Sequence, residues 1–270
     1  MNPISSELAR SGQSDARAIC YLINLDRSQD RLARVGSRLD HLGIGFERIS
    51  AVDGNKLPAG ELARLTQRNF FYRPLYPGEV GCYMSHVAAM RLFLASSSQY
   101  ALVLEDDVVL PDNLDEIVAA AIHLREASTV GPAAWNVLKL QGQRKWHIPI
   151  AKILPGYELV EYGFSVPACT GAAIWNRDGA QRFLDHFKGV ARPVDCELQH
   201  PWELGLQIRS IYPSIVRAEG ASTIGKRKQG RSNPFLKSRY EARRIIPKAR
   251  YFLKTYGFFT VLRRMLGLGS

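Results

Sequence analysis

Apolar residues recur along this chain in two rhythms, one short and continuous, the other helical. Residues 18–25 (AICYLINL) form an apolar run of a length suited to a buried strand. Leu32, Val35, Leu39 and Leu42 then fall on one face of a helix that Ser28 is placed to cap and Gly43 to end. Residues 46–50 read as a second strand, leading into Ala51-Val52-Asp53-Gly54. A strand, a helix and a strand in that order predict parallel pairing through a right-handed crossover.

Residues 55–77 lack either rhythm and are rich in Arg, Pro and aromatic residues, which predicts an irregular, mobile loop over a site. Residues 79–97 read as a helix, with Val80, Met84, Val87, Arg91 and Leu94 roughly aligned. A third buried strand follows and runs into Glu105-Asp106-Asp107, and Pro111 stops the segment. Leu114, Ile117, Val118, Ala121 and Leu124 predict a helix over about 114–126. Residues 136–140, 157–162, 171–175 and 207–212 are further strand candidates, and 177–187 reads as a helix. The alternation predicts an α/β fold with a mainly parallel, Rossmann-like sheet flanked by helices.

Charge divides the chain. Residues 226–270 hold 13 Lys/Arg and one acid, Glu241, whereas the preceding 225 residues hold 23 basic and 24 acidic side chains. The net charge of +11 is therefore a basic appendage on a balanced domain. The expected division is a polar N-terminus over 1–17, a domain over 18–225 and a basic-aromatic tail over 226–270. No run of about 18 uncharged apolar residues is present, and residues 1–17 lack the apolar core of a signal peptide. Cys20, Cys82, Cys169 and Cys196 are widely spaced, as expected of reduced thiols in a cytoplasmic protein.

Three adjacent carboxylates at the end of a buried strand need a counter-charge. At the carboxyl end of a parallel strand, where open α/β sheets bind ligands, a divalent cation supplies it and can grip a diphosphate. The competing reading is a solvated acidic turn. Strand alternation sends Glu105 and Asp107 to one face and Asp106 to the other. Asp107 and then Glu105 are the expected metal-facing groups, with Asp106 reaching a ribose. Asp195 and His200 are candidates for a further ligand.

Four motifs come in order: Tyr21-Leu-Ile-Asn-Leu-Asp-Arg-Ser28 with Arg31, Ala51-Val-Asp-Gly54, Pro77-Gly-Glu-Val-Gly-Cys-Tyr-Met-Ser-His86, and Leu104-Glu-Asp-Asp-Val108. Together with Thr170-Gly171-Ala172, Pro193-Val-Asp195 and Ser222-Thr-Ile224 they resemble glycosyltransferase family 25, the lipooligosaccharide-type galactosyltransferases, over about residues 18–225. The resemblance implies a GT-A fold and a metal-dependent site for a UDP-sugar, with Mn²⁺ or Mg²⁺. It also implies inverting transfer, usually from UDP-galactose, onto a glycan such as a lipopolysaccharide core.

On that resemblance, Asn24, Asp26, Arg27 and Arg31 at the first strand-to-helix turn contact uridine and diphosphate, although an N-cap beside ordinary surface arginines would use the same residues. Asp53 binds base or ribose, or is simply a turn residue. Glu79 and the Ser85-His86 pair take donor-site roles, and Lys226 closes over the diphosphate or else begins the basic tail. Asp195 is the candidate general base, a role incompatible with its being an inner metal ligand.

The tail interleaves basic and aromatic residues, which suits an anionic membrane surface and, less well, nucleic acid. The expected partners are a UDP-hexose, a lipid-linked glycan acceptor and the inner face of the cytoplasmic membrane. Two rival readings remain: a non-catalytic glycan- or membrane-binding protein on a transferase scaffold, and a metal-dependent phosphohydrolase. The latter normally places its nucleophile after the first strand rather than the third.

Overall fold

The computed structural model describes residues 17–128, 130–143, 147–162, 166–219 and 233–256. The chain opens with β1 (Ala18–Asn24), α1 (Gln29–His41) and β2 (Glu47–Ser50), as the pattern predicts. A 3₁₀ turn at Gly54–Lys56 follows, then α2 (Ala59–Leu65), α3 (Pro77–Ala95), β3 (Tyr100–Glu105), β4 (Val108–Val109) and α4 (Leu114–Ala127). Next come β5 (Val137–Lys139), β6 (Ile148–Leu154), β7 (Tyr157–Glu161), β8 (Ala172–Asn176) and α5 (Arg177–His186). The described chain closes with α6 (Val194–Glu197), α7 (Pro201–Leu204), β9 (Ile208–Tyr212), β10 (Arg217–Ala218) and α8 (Pro234–Tyr256).

Eight strands form one sheet in the order β2-β1-β3-β8-β5-β9-β7-β6, and β4 pairs with β10 in a small second sheet. β1 runs parallel to both β2 and β3, and β5 parallel to β9. β8 is antiparallel to β3 and β5, and the β6–β7 hairpin extends the far edge. The α/β, GT-A-like architecture therefore has a parallel opening half and a mixed second half.

Strand alternation sorts the core into two layers. Cys20, Leu22, Leu102 and Leu104 pack under α1 and α4, while Tyr21, Ile23, Ala101 and Val103 pack under α3, α5 and α6. α4 buries Leu114, Ile117, Val118 and Ala121 as its spacing predicts, and Gly43 takes the left-handed conformation that ends α1. Ser28 sits at the N-cap of α1, but its side chain makes no capping hydrogen bond.

Several elements depart from the sequence pattern. The loop expected over 55–77 contains α2, a short helix whose one buried residue is Leu65. α3 is enclosed nearly all round, burying Glu79, Val80, Tyr83, Ser85, His86, Val87, Met90 and Phe93, so no single stripe describes it. β6 went unpredicted because every residue in it stays partly or fully exposed and Pro149 interrupts its rhythm. The basic tail also contains a long helix, α8, which is held against the body through Phe252 and through the Tyr251 hydroxyl, a donor to the Leu206 carbonyl at 3.2 Å.

Candidate active site

Parallel pairing decides what meets what. Tyr21 to Asn24 face Glu47 to Ser50 across β1–β2, and Ile23 faces Glu105 across β1–β3. The carboxyl ends of three parallel strands therefore open side by side, where open α/β sheets place their ligands. A pocket lies there, lined by Arg27, Asp53, Gly54, Ser85, His86 and the three acids, among others. It adjoins a second pocket bounded by Asp26, Arg27, Asp53 and Lys56, so one polar cleft runs from the acids to a rim with two cations.

The floor of the cleft is set by a close approach of two backbones. A Cβ on Gly81 of α3 would lie 2.3 Å from the Val52 carbonyl oxygen and 2.6 Å from the Gly54 nitrogen. One on Gly54 would lie 1.7 Å from the Pro77 carbonyl oxygen. The Ala-Val-Asp-Gly54 and Pro-Gly-Glu-Val-Gly81 motifs are thus two halves of one contact that only glycine permits. Ser85 completes it by accepting from the Val52 N–H at 2.9 Å while donating to the Gly81 carbonyl at 2.8 Å.

The three acids have different surroundings. Glu105 turns toward α3, where its Oε1 lies 3.0 Å from His86 Nε2 and accepts from Thr170 Oγ1 at 2.7 Å. Burial pushes its pKa up, but the His86 and Thr170 hydrogen bonds, with the charges of His86 and Lys139, outweigh this and hold it below the ordinary value. Its Oε2 has no hydrogen-bond partner among the described residues and is left for a ligand. Asp106 turns the other way, accepting from Asn24 Nδ2 at 2.7 Å and Arg31 Nη1 at 3.3 Å.

Asp107 is pushed up to about 6, first by burial and then by the charges of Glu105 and Asp106, with Arg31 opposing. Its backbone is fixed because its carbonyl accepts from the Glu219 N–H at 2.6 Å. No ion pair among the described residues reaches its carboxylate. Asp107 and Glu105 both line this pocket and offer hard carboxylate oxygens of the kind Mg²⁺ and Mn²⁺ take, while the ligand atoms that converge within 4.8 Å of one another are those of Cys82, His86 and Glu105.

Several residues expected to touch a nucleotide also have protein partners. Asn24, 1% exposed, donates to Asp106 and to the Ser28 carbonyl at 2.9 Å and accepts from Arg48 Nε at 3.1 Å, so both of its amide protons are committed within the protein. Asp106 lines the pocket with one hydrogen bond to each carboxylate oxygen, from Asn24 and Arg31. Glu79 accepts from both terminal nitrogens of Arg73 and from the Tyr76 N–H, fixing the entry to α3.

Asp26 pairs with Arg48 and accepts from Ser50 at the second pocket's edge; these two hydrogen bonds keep its pKa below normal. Arg27 pairs with Asp53 on the cleft wall, and Asp53 also accepts from the Asn55 N–H in the 3₁₀ turn.

His200 is not brought to the acids' pocket. Its Nδ1 donates to the Cys196 carbonyl at 2.8 Å and its Nε2 faces the Tyr240 hydroxyl at 3.2 Å. Burial, with the charges of Arg192 and Arg244, lowers its pKa to about 3. Both ring nitrogens have partners that suit a neutral imidazole. Asp195, on α6, is close enough to Cys82 for its charge to act there alongside those of Glu105 and Asp107. Lys226 lies outside the described residues.

Sequence reasoning gave no role to Arg48 or Lys139, and took Thr170 only as part of a motif. Lys139, 1% exposed, donates to the Pro167 carbonyl. A lysine closing an apolar strand was a legible signal; Arg48, in a strand otherwise exposed but for Ile49, was not. Thr170→Val should remove one of the two hydrogen bonds that keep Glu105 ionised. A depressed carboxylate stabilises the fold above its unfolded pKa, and that stability is lost as pH falls through the folded value. The variant should lose about 1.5–3 kcal/mol at neutral pH and begin acid unfolding at a higher pH, measurable by urea titrations from pH 4 to 8.

Residues 18–198 match the family model described as Glycosyltransferase family 25 (LPS biosynthesis protein). The chain is 33% identical over 95 residues to human procollagen galactosyltransferase 2, covering 33% of this chain and 15% of that protein. It is 30% identical over 112 residues to lipooligosaccharide biosynthesis protein lic2B of Haemophilus influenzae, covering 40% of this chain and 41% of that one. A rat relative named probable inactive glycosyltransferase 25 family member 3 is 29% identical over 220 residues, covering 72% of this chain and 37% of its own. The chain thus spans well under half the length of these relatives. The matched span carries both glycine motifs, all three acids and the Ser85-His86 pair, and the chain belongs to glycosyltransferase family 25.

Proposed function

We propose that the protein transfers a hexose, galactose first among the candidates, from a UDP-hexose to a lipopolysaccharide or lipooligosaccharide core glycan, with inversion at the anomeric carbon. The observation that carries this reading is the uncompensated Asp107 at the carboxyl ends of three parallel strands. Asp107 and the free oxygen of Glu105 would hold Mn²⁺ or Mg²⁺. When bound, the ion supplies positive charge against which the departing diphosphate is stabilised. The names of the human and Haemophilus relatives support galactose and a lipooligosaccharide acceptor, respectively.

His86 and Thr170 fix the rotamer of Glu105, and Asn24 and Arg31 fix the turn that presents Asp107. Arg27 and Lys56 line the far lobe, where a nucleotide's anionic and polar groups would lie. As the acceptor oxygen bonds to the anomeric carbon and the bond to the diphosphate breaks, Asp195 takes the hydroxyl proton. Its charge acts on Cys82 together with those of Glu105 and Asp107, which supports a base in the neighbourhood of the acids.

A transfer assay with radiolabelled UDP-galactose, UDP-glucose and a deacylated lipooligosaccharide acceptor tests this reading. Asp195→Asn should lower kcat on the order of a hundred- to ten-thousand-fold with little change in UDP affinity. Full activity in that variant would remove Asp195 from the reaction. The rat relative's name favours a second reading, a non-catalytic scaffold; UDP binding with no turnover of any UDP-hexose would be its signature.

A further inference from the structure

α8 has one face turned to the body and an apolar stripe turned away from it. Tyr240, Arg244, Lys248, Tyr251 and Phe252 recur at helical spacing on the side turned to the body. There Tyr240 packs on the Phe71 and Tyr72 rings at 5.5 and 5.8 Å, and Phe252 is 4% exposed. On the opposite side Phe235, Ala242, Ile246 and Leu253 follow one another at steps of seven, four and seven residues, which keeps them within one narrow stripe. Phe235 is 69%, Ile246 63% and Leu253 41% exposed. Arg239, Arg243, Arg250 and Lys254, all exposed, run along one flank of that stripe.

We infer that this outward face of α8 docks on an anionic lipid surface, lying in its plane. A continuous apolar stripe flanked by cations matches the acyl-headgroup boundary, where aliphatic side chains sink below the phosphates that the cations meet. Within Pro234–Tyr256 seven Lys/Arg oppose one Glu, so the charge complements anionic headgroups and disfavours like-charged packing of a second copy. Nucleic acid would use the arginines but has no use for exposed Ile246 and Leu253. Among the described residues no helix is long and apolar enough to cross a membrane. Through Tyr240 the docked helix touches both the loop entering α3 and His200, just beyond the helix that bears Asp195. A lipid-linked acceptor would therefore be presented to the proposed acceptor side.

The inference stands on α8 alone, and its test uses no nucleotide, so its failure and that of the transferase reading are distinguishable. Flotation of the full chain with phosphatidylcholine vesicles, with and without about one-third phosphatidylglycerol, reads lipid binding directly. Binding is expected to the anionic vesicles and to be at least tenfold weaker to the neutral ones. Phe235→Asp/Ile246→Asp and Arg239→Ala/Arg243→Ala/Arg250→Ala should each weaken it at least tenfold, with thermal unfolding unchanged because neither set supports the core. Leu253→Gln is a milder probe of the same stripe and should weaken binding in the same direction.

Absence of vesicle binding, or binding that survives both sets of substitutions, overturns the inference. So would a stripe variant that changes only the oligomeric mass, which would identify a second copy as the occupant. Retention of duplex DNA without retention of vesicles would assign the face to nucleic acid.

Discussion

Asp107→Asn is expected to abolish transfer while making the metal-free protein more stable. The Asp107 carboxyl is pushed up from 3.8 to about 6, chiefly by burial and then by its two acidic neighbours. A raised carboxylate destabilises the fold when ionised: the cost is absent below about pH 4 and fully present above about pH 6. Two pK units correspond to at most about 3 kcal/mol, and partial solvent access reduces this to ~1–2 kcal/mol. Thermal unfolding of the metal-free variant at pH 7.5 should therefore rise by ~2–6 °C, and the gain should vanish near pH 4. Saturating Mn²⁺ should raise the wild type and leave the variant unmoved.

Transfer should fall on the order of a hundred- to thousand-fold or more, as expected when the charge opposing a leaving group is lost. Cation affinity of the wild type should also weaken as pH drops below about 6, because the ligand must be deprotonated to bind. A variant that is less stable at every pH would mean that Asp107 is already compensated within the protein.

The second large effect is expected from Gly81→Ala. The added methyl would meet backbone atoms of Val52 and Gly54 at 2.3 and 2.6 Å, and backbone cannot swing aside as a side chain can. Overpacking of this kind costs about 1–3 kcal/mol or more. Here the strain falls between α3 and the loop after β2, so Ser85, His86 and Asp53 should shift together and UDP affinity should fall with stability. Gly60→Ala is the matching control: a Cβ there meets nothing within 4 Å, and in α2 the change should add about 0.5–1 kcal/mol. Urea unfolding and nucleotide titration on both variants separate a packing defect from a general intolerance of alanine.

The first strand, helix and strand were legible because β1 and α1 each present one unambiguous rhythm, and the acids were legible because ionised side chains rarely follow buried ones. What each polar residue does was not legible. Asn24, Asp106 and Glu79 look like ligand contacts in a motif, yet each also has an arginine partner, Arg48, Arg31 or Arg73, that only the β1–β2 and β1–β3 registers and the loop before α3 bring near. These residues act by holding the acidic turn and the α3 entrance in place. α3 defied stripe analysis because it is packed on nearly every side. Periodicity assumes one buried face per helix, and α3 violates that assumption.

Calorimetric titration of UDP into the full-length protein with Mn²⁺, repeated with EDTA and with Asp107→Ala, tests the central claim most directly. The account predicts cation-dependent binding that disappears both in EDTA and in the variant. Binding that is indifferent to the cation, or that persists in Asp107→Ala, would contradict it.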